Sequence, residues 1–212
     1  MRRAFHVDVR NGHKTGFYID QRDNRVLVAQ NAQGREVFNC FCYTSGFSLA
    51  ALKGGATRVV SVDSSGEALA IARENVKANG FDKTKAEWLD AAAFKTLRRL
   101  HDEGQRFDLI VLDPPKFAPS KESVDRVARA YKEINLTGFK LLRPVNLLFT
   151  YSRSGAIDAD LFQKIVAGAA SDARVDVRIL KRLGAGGRSS TANIVPERRI
   201  PERAAVANRL TA

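Results

Sequence analysis

Apolar and polar positions alternate along the chain in blocks whose period switches between two and 3.6. The pattern is clearest at Val37-Phe-Asn-Cys-Phe-Cys-Tyr-Thr-Ser-Gly-Phe47, where a short apolar run ends in a turn containing Gly46. Phe47-Ser-Leu-Ala-Ala-Leu-Lys53 continues at helical spacing until Gly54-Gly55 stops it. A second apolar run, Arg58-Val-Val-Ser-Val62, ends in Asp63. Ser64 is then the expected N-cap of a helix, with Glu67 completing a capping box, a buried stripe at Ala68, Leu69, Ala72 and Val76, and a stop at Gly80. Ala86-Glu-Trp-Leu89 is a third short strand ending in Asp90, followed by a helix over about 91–103. Phe107-Asp-Leu-Ile-Val-Leu112 is almost continuously apolar, as a central strand buried on both faces must be, and it runs into Asp113-Pro-Pro-Lys-Phe117.

A long helix is predicted over roughly 121–142, a fifth strand at Leu147-Leu-Phe-Thr-Tyr151, and a helix from an Asp158 cap to about Ala170. A sixth strand follows at Val175-Asp-Val-Arg-Ile-Leu180. Strand and helix alternate throughout, which predicts an α/β, Rossmann-like, doubly wound and mostly parallel sheet. Residues 1–30 read as a preface: Phe5–Arg10 and Thr15–Asp20 flank the turn signal Asn11-Gly12, giving an N-terminal β-hairpin, and a short helix begins near Gln21. Residues 31–183 form the main domain. Residues 184–212 lack sustained periodicity, are rich in breakers and charge, and are expected to be a disordered basic tail.

Composition narrows the class. The 212 residues, 44% hydrophobic, suit one α/β domain, and no apolar run approaches the roughly 18 residues of a membrane span. Met1-Arg-Arg leads into mixed polar sequence, not a secretory leader. Cys40 and Cys42 flank a single strand residue and point to opposite faces, so they do not bridge, and a reduced, cytoplasmic protein is expected. The net charge of +12 favours a nucleic-acid partner. Residues from Lys181 onward hold seven Lys/Arg against two Asp/Glu, leaving +7 spread over the body.

Candidate chemistry sits at the strand ends. Asp63 lies 17 positions beyond Gly46, the separation at which an acid reaches the hydroxyls of a ribose bound over a glycine turn; it equally fits two plain strands of a doubly wound sheet. Asp90 can accept from an adenine amino group or cap the next helix. Asp113-Pro114-Pro115 fixes a rigid corner at the carboxyl edge, where ligands bind in open α/β sheets. The charged, aromatic segment with Lys14, Asp20, Arg22, Asp23 and Arg25 reads as a lid over a pocket or as a charged hairpin tip. No metal site is expected.

The glycine turn, Asp63, Asp90 and Asp113-Pro-Pro at four successive strand ends resemble the class I methyltransferases. More closely, residues 5–183 resemble the bacterial 23S rRNA cytosine-5 methyltransferases of the RlmI type. That resemblance is carried by Lys14-Thr-Gly-Phe-Tyr-Ile-Asp-Gln-Arg-Asp-Asn-Arg25, Asn39-Cys-Phe-Cys-Tyr-Thr44, Val62-Asp-Ser-Ser65, Asp108-Leu-Ile-Val-Leu-Asp-Pro-Pro-Lys-Phe117 and Asp160-Leu-Phe-Gln-Lys164. It implies methyl transfer from S-adenosyl-L-methionine to large-subunit rRNA. Asn39, Phe41, Tyr43, Thr44 and Gly46 would pass the methionine part of the cofactor, Asp63 and Ser64 the ribose side, and Asp90 the adenine. Asp113 and Pro114 would lie by the methyl group and target base, with Lys14, Arg22 and Lys116 meeting RNA.

The chain departs from that family in three ways. The family's cysteine, set in Ser-Cys-Ser-Gly, is Arg153 in Ser152-Arg-Ser-Gly155, and arginine is no covalent nucleophile. Two glycine pairs are replaced by Ser45-Gly46 and Val145-Asn146; if position 45 needs a positive φ, serine there is strained. The RNA-binding PUA domain and β-rich linking domain of the family precede the matched region, and the family's last strand does not match from Gly187 onward. On this reading the chain is N-terminally shortened with a divergent C-terminus, lacks the last antiparallel strand, leaves strand five as an edge, binds cofactor weakly and has little or no cytosine-5 activity. Two other readings are an exocyclic-amino purine methyltransferase using Asp113-Pro-Pro, and a non-catalytic RNA-binding fragment.

Overall fold

The computed structural model describes residues 5–6, 18–117 and 124–184, and the backbone of 205–210. The expected hairpin strands and Lys14 lie outside the described residues, apart from Phe5, His6 and the stretch from Tyr18. The chain divides into two compact units, Met1–Ala93 and Phe94–Ala212.

The first unit holds α1 (Arg22–Gln30), β1 (Glu36–Cys40), α2 (Gly46–Lys53), β2 (Arg58–Asp63), α3 (Gly66–Ala78) and β3 (Ala86–Asp90). Its strands are parallel, in the order β3-β2-β1, with Phe38 beside Val60 and Asn39 beside Ser61. Val37, Phe38, Val59, Val60 and Val62 are buried, as expected of strands covered on both faces. The small residues of α2 let the helix sink until Phe47–Leu52 are all buried. Gly54 makes the contact of α1 with α2 possible, because a Cβ there would lie 2.0 Å from the Ala29 carbonyl oxygen. One expectation fails: the N-cap of α3 is Ser65, whose side chain accepts from the Ala68 N–H, and not Ser64, which is exposed. The carboxylate of Asp63 binds the Ser65 N–H and thereby moves the helix start one residue on.

The second unit holds α4 (Ala93–Asp102, whose first residue closes the first unit), β4 (Phe107–Leu112), α5 (Val124–Leu141), β5 (Leu142–Tyr151), α6 (Ala159–Ala173), β6 (Arg178–Gly184) and β7 (Ala205–Leu210). Its strands follow the order β4-β5-β7-β6 and all pair in parallel. Phe107 and Leu109–Leu112 are fully buried. Asp158 caps α6 as expected, accepting from the Leu161 N–H.

β5 begins earlier than Leu147 and reaches its register with β4 through an irregularity, with Val145 at φ +62°. β6 begins later than Val175. Arg174 takes the left-handed position after α6 and Val175 N–H closes the helix on the Ala170 carbonyl, so the start of the predicted strand serves as a helix stop. No antiparallel partner of β5 occurs among the described residues. β7 instead lies parallel between β5 and β6, so β5 is not the expected edge, and the tail contributes a strand at 205–210.

Candidate functional site

In the first unit, the candidate residues begin with the loop from β1 to α2. Phe41, Tyr43 and Ser45 all have positive φ, at 61°, 48° and 65°, conformations that cost a non-glycine residue about 1–3 kcal/mol each. Neighbouring backbone holds them there. Cys42 N–H donates to the Val62 carbonyl (3.0 Å), Ser45 N–H to the Cys42 carbonyl (2.8 Å), and Tyr43 N–H to Asp63 Oδ2 (2.7 Å). The Thr44 carbonyl accepts from the buried Asn75 side chain, whose Oδ1 also accepts from His6 N–H. Ser45 and Thr44 are buried, so the loop is fixed from below and exposes parts of Phe41, Tyr43 and Gly46.

Asp63 joins this loop to α3, each carboxylate oxygen taking one backbone N–H, from Tyr43 and Ser65. A carboxylate offers about four acceptor sites, so two hydroxyls can still be received. Asp63 and Asp90 are register partners on adjacent parallel strands, a spacing of about 4.8 Å. Gly66 matters here: a Cβ at that position would lie 2.8 Å from Asp90 Oδ2. The strand ends thus present two neighbouring carboxylates beside a helix start.

Asn39, which opens the loop expected to pass the methionine part of the cofactor, turns its side chain into the unit. It is buried, and its amide donates to Ser48 Oγ, which shares a hydrogen bond with Ser61 Oγ. This polar chain ties β1, β2 and α2 together. Arg25, given no individual role from sequence, is 7% exposed and lies against Gly46, where a Cβ would be 3.1 Å from its Cδ and 3.2 Å from Nη1; Nη1 donates to the Tyr18 carbonyl. Tyr18 in turn meets Tyr43 edge to face, with centroids 5.7 Å apart. The guanidinium therefore stands at the N-terminus of α2, where backbone N–H groups already favour an anion. Arg22 is exposed beside Asp23, and Lys116 is exposed.

Both thiols are buried. Burial, aided by Cys42, holds the Cys40 thiol well above its ordinary range, and burial pushes Cys42 up to about 12.

In the second unit, the candidate residues follow β4 and β5. Asp113 and Arg153 side chains are 9% and 15% exposed and form a bidentate pair, Nε to Oδ1 at 2.9 Å and Nη2 to Oδ2 at 2.6 Å. Arg153 N–H donates to the Tyr131 hydroxyl oxygen, and burial raises the Tyr131 pKa. Tyr131 is fully buried between Phe117 and Phe162, with centroids 4.9 and 5.3 Å away. Pro114, in the corner after β4, is buried. Tyr131 was legible only as a core position; its hydroxyl contact reaches a residue 22 positions away.

Residues 2–184 match the family of S-adenosylmethionine-dependent methyltransferases. The chain belongs to that family. Curated relatives include the "Ribosomal RNA large subunit methyltransferase I" of Aeromonas hydrophila, 51% identical over 90% of this chain, and that of Vibrio cholerae, 49% identical over 90%. The chain spans about half the length of these relatives, 48% and 49%. Among solved structures, a methyltransferase complexed with SAH superposes with a TM-score of 0.69 at 28% identity, covering 78% of this chain and 43% of that one. An S-adenosylmethionine-dependent methyltransferase from Agrobacterium tumefaciens gives 0.60 at 25%, covering 74% and 52%. The fold is the Rossmann-like α/β fold of these methyltransferases.

The residues present fit the family's cofactor. Asp63 and Asp90 are acceptors for hydroxyl and amino donors, Gly46 and Gly66 leave the space that a Cβ would fill, and Arg25 supplies a cation for a carboxylate.

Proposed function

We propose that this chain is the methyltransferase part of an enzyme acting on C5 of a cytosine in large-subunit rRNA, with the transfer step impaired in this form. The relatives' names and the identity near 50% support the substrate. The observation that carries the impairment is the Arg153–Asp113 pair, which fills the position of the family's nucleophile and engages both oxygens of the neighbouring acid.

When bound, S-adenosylmethionine supplies an electrophilic methyl group. Asp63 holds the ribose hydroxyls, Asp90 receives the adenine amino group, and Arg25 with the first N–H groups of α2 takes the methionine carboxylate. Phe41, Tyr43 and Thr44 form the wall along the methionine part, and Ser64 the rim beside the ribose. Residues 1–30 act as a lid, a role supported by the His6–Asn75, Tyr18–Tyr43 and Arg25–Gly46 contacts. Lys14, Arg22 and Lys116 contact RNA in the cytoplasm.

Cytosine C5 is a poor nucleophile until a thiolate adds to C6; once C5 has taken the methyl group, its proton leaves to a base and the thiol is expelled. Arg153 supplies no electron pair for the first step, and Asp113, neutralised by the guanidinium, is held away from the last. The paired carboxylate also weighs against amino-group methylation by Asp113-Pro-Pro, which needs that acid free to orient an amine.

The test is transfer of labelled methyl from S-adenosylmethionine to unmodified large-subunit rRNA, for the unaltered chain and for Arg153→Cys. Label appearing at a cytosine only with Arg153→Cys is expected. Full activity of the unaltered chain would overturn the impairment, and RNA binding without label in either form would favour a non-catalytic RNA-binding role.

A further inference from the structure

A cavity of about 360 Å³ opens at the edge of the second unit where its strands begin. Phe107 starts β4 and Leu142 starts β5 there, whereas Asp113 and Arg153 follow the other ends of the same strands. Six strand residues put about 17–20 Å between the two places. Arg106, Lys140 and Arg143 line the cavity together with His101, over a floor that includes Phe139, Leu142 and Val175. None of the described residues lining it is acidic.

Cations are common after helix C-termini, where they offset the carbonyl end of the dipole. That accounts for His101 and Lys140, which stand in the last turns of α4 and α5. It does not account for Arg106 and Arg143, which belong to the strand starts. Asp108 balances Arg143 at 3.0 Å, and the exposed Arg106 and Lys140 add positive charge beyond that pair. The rim residue Pro144 is followed by Val145, which is 64% exposed at φ +62°. A β-branched residue in that region is strained, and strain of this kind gathers at binding sites.

A small inorganic anion has no use for an apolar floor, and an apolar ligand has no use for three cations. One unit of a nucleic-acid strand uses both. We propose that this cavity binds a nucleotide of the RNA strand at a distance from the target base, Arg106, Lys140 and Arg143 holding its phosphate and the apolar floor receiving its sugar and base. The proposal rests on the reading of RNA as the substrate.

The experiment measures the affinity of the whole chain for a long fragment of unmodified large-subunit rRNA across a range of salt. The double variant R106Q/K140Q removes exposed charges of the cavity, and K83Q/K85Q removes two exposed lysines of the first unit as a control. The slope of log affinity against log salt is expected to become shallower by about 1.4–1.8 in R106Q/K140Q and to stay unchanged in the control. S-adenosylhomocysteine binding stays unchanged in both. Equal slopes for the unaltered chain and R106Q/K140Q, or the same loss in the control, would overturn the cavity as an RNA site while leaving the substrate reading intact. An unaltered chain that binds no RNA overturns both.

Discussion

Arg153 closes on Asp113 with two parallel hydrogen bonds, although the residues are 40 positions apart. Both side chains are largely buried, and the guanidinium meets both oxygens of the carboxylate.

Removing one partner strips a largely buried charge of its bidentate ion pair. Arg153→Met is therefore expected to lower stability by about 3–5 kcal/mol, and Asp113→Leu with Arg153→Met to recover most of that loss. Urea midpoints of the two single variants and the double variant check it; additive losses would show that the pair is not coupled.

Arg25 should matter for one end of the cofactor only. Arg25→Gln is expected to weaken S-adenosylhomocysteine by about 10–100-fold, the value of one charged hydrogen bond. 5′-Methylthioadenosine, which has no amino-acid part, should bind both forms equally in calorimetry. Parallel losses for the two ligands would place Arg25 in the fold and not at the carboxylate.

Ser45 sits in left-handed backbone as the N-cap of α2 without a side-chain cap bond. Ser45→Gly is expected to raise stability by about 1 kcal/mol, since glycine takes that conformation freely. A melting temperature that falls would mean the hydroxyl holds the loop more strongly than its backbone strain opposes it.

The thiols give a pH dependence. Both have folded values raised above the ordinary 9.0, so the stability they contribute is complete below pH 9 and is lost as pH rises towards the folded value, about 12 for Cys42. Urea midpoints should fall above pH 9, less steeply in Cys42→Ala. Labelling by iodoacetamide in the native state should stay slow at pH 8; rapid labelling would contradict their burial.

The placing of the acids was legible from sequence because they end strands, and strand ends are marked by a change of period. Asp63 and Asp90 close adjacent strands as that pattern placed them. Arg25 did not follow from it: in a short helix it looks like one charge among several, and its burial depends on Gly46 of another element. The Arg153–Asp113 pair was hidden for a related reason, since adjacency of two parallel strands brings together residues far apart in the chain. β7 was missed because Ala205-Val-Ala-Asn-Arg-Leu210 is weakly patterned, and pairing on both sides makes the strand. Ser64 and Ser65 carry the same side chain, so the sequence alone does not tell which caps α3, and the Asp63 contact separates them.

The bonded loop between β1 and α2 bears on the timing of ligand capture. The loop is already held by Val62 at Cys42, by Asp63 at the left-handed Tyr43 and by Asn75 at Thr44. A ligand arriving there finds a finished surface and immobilises little further backbone, so little conformational entropy is lost on docking. Association should then be fast and single-phased in stopped-flow mixing, with differences between ligands residing in how quickly they leave.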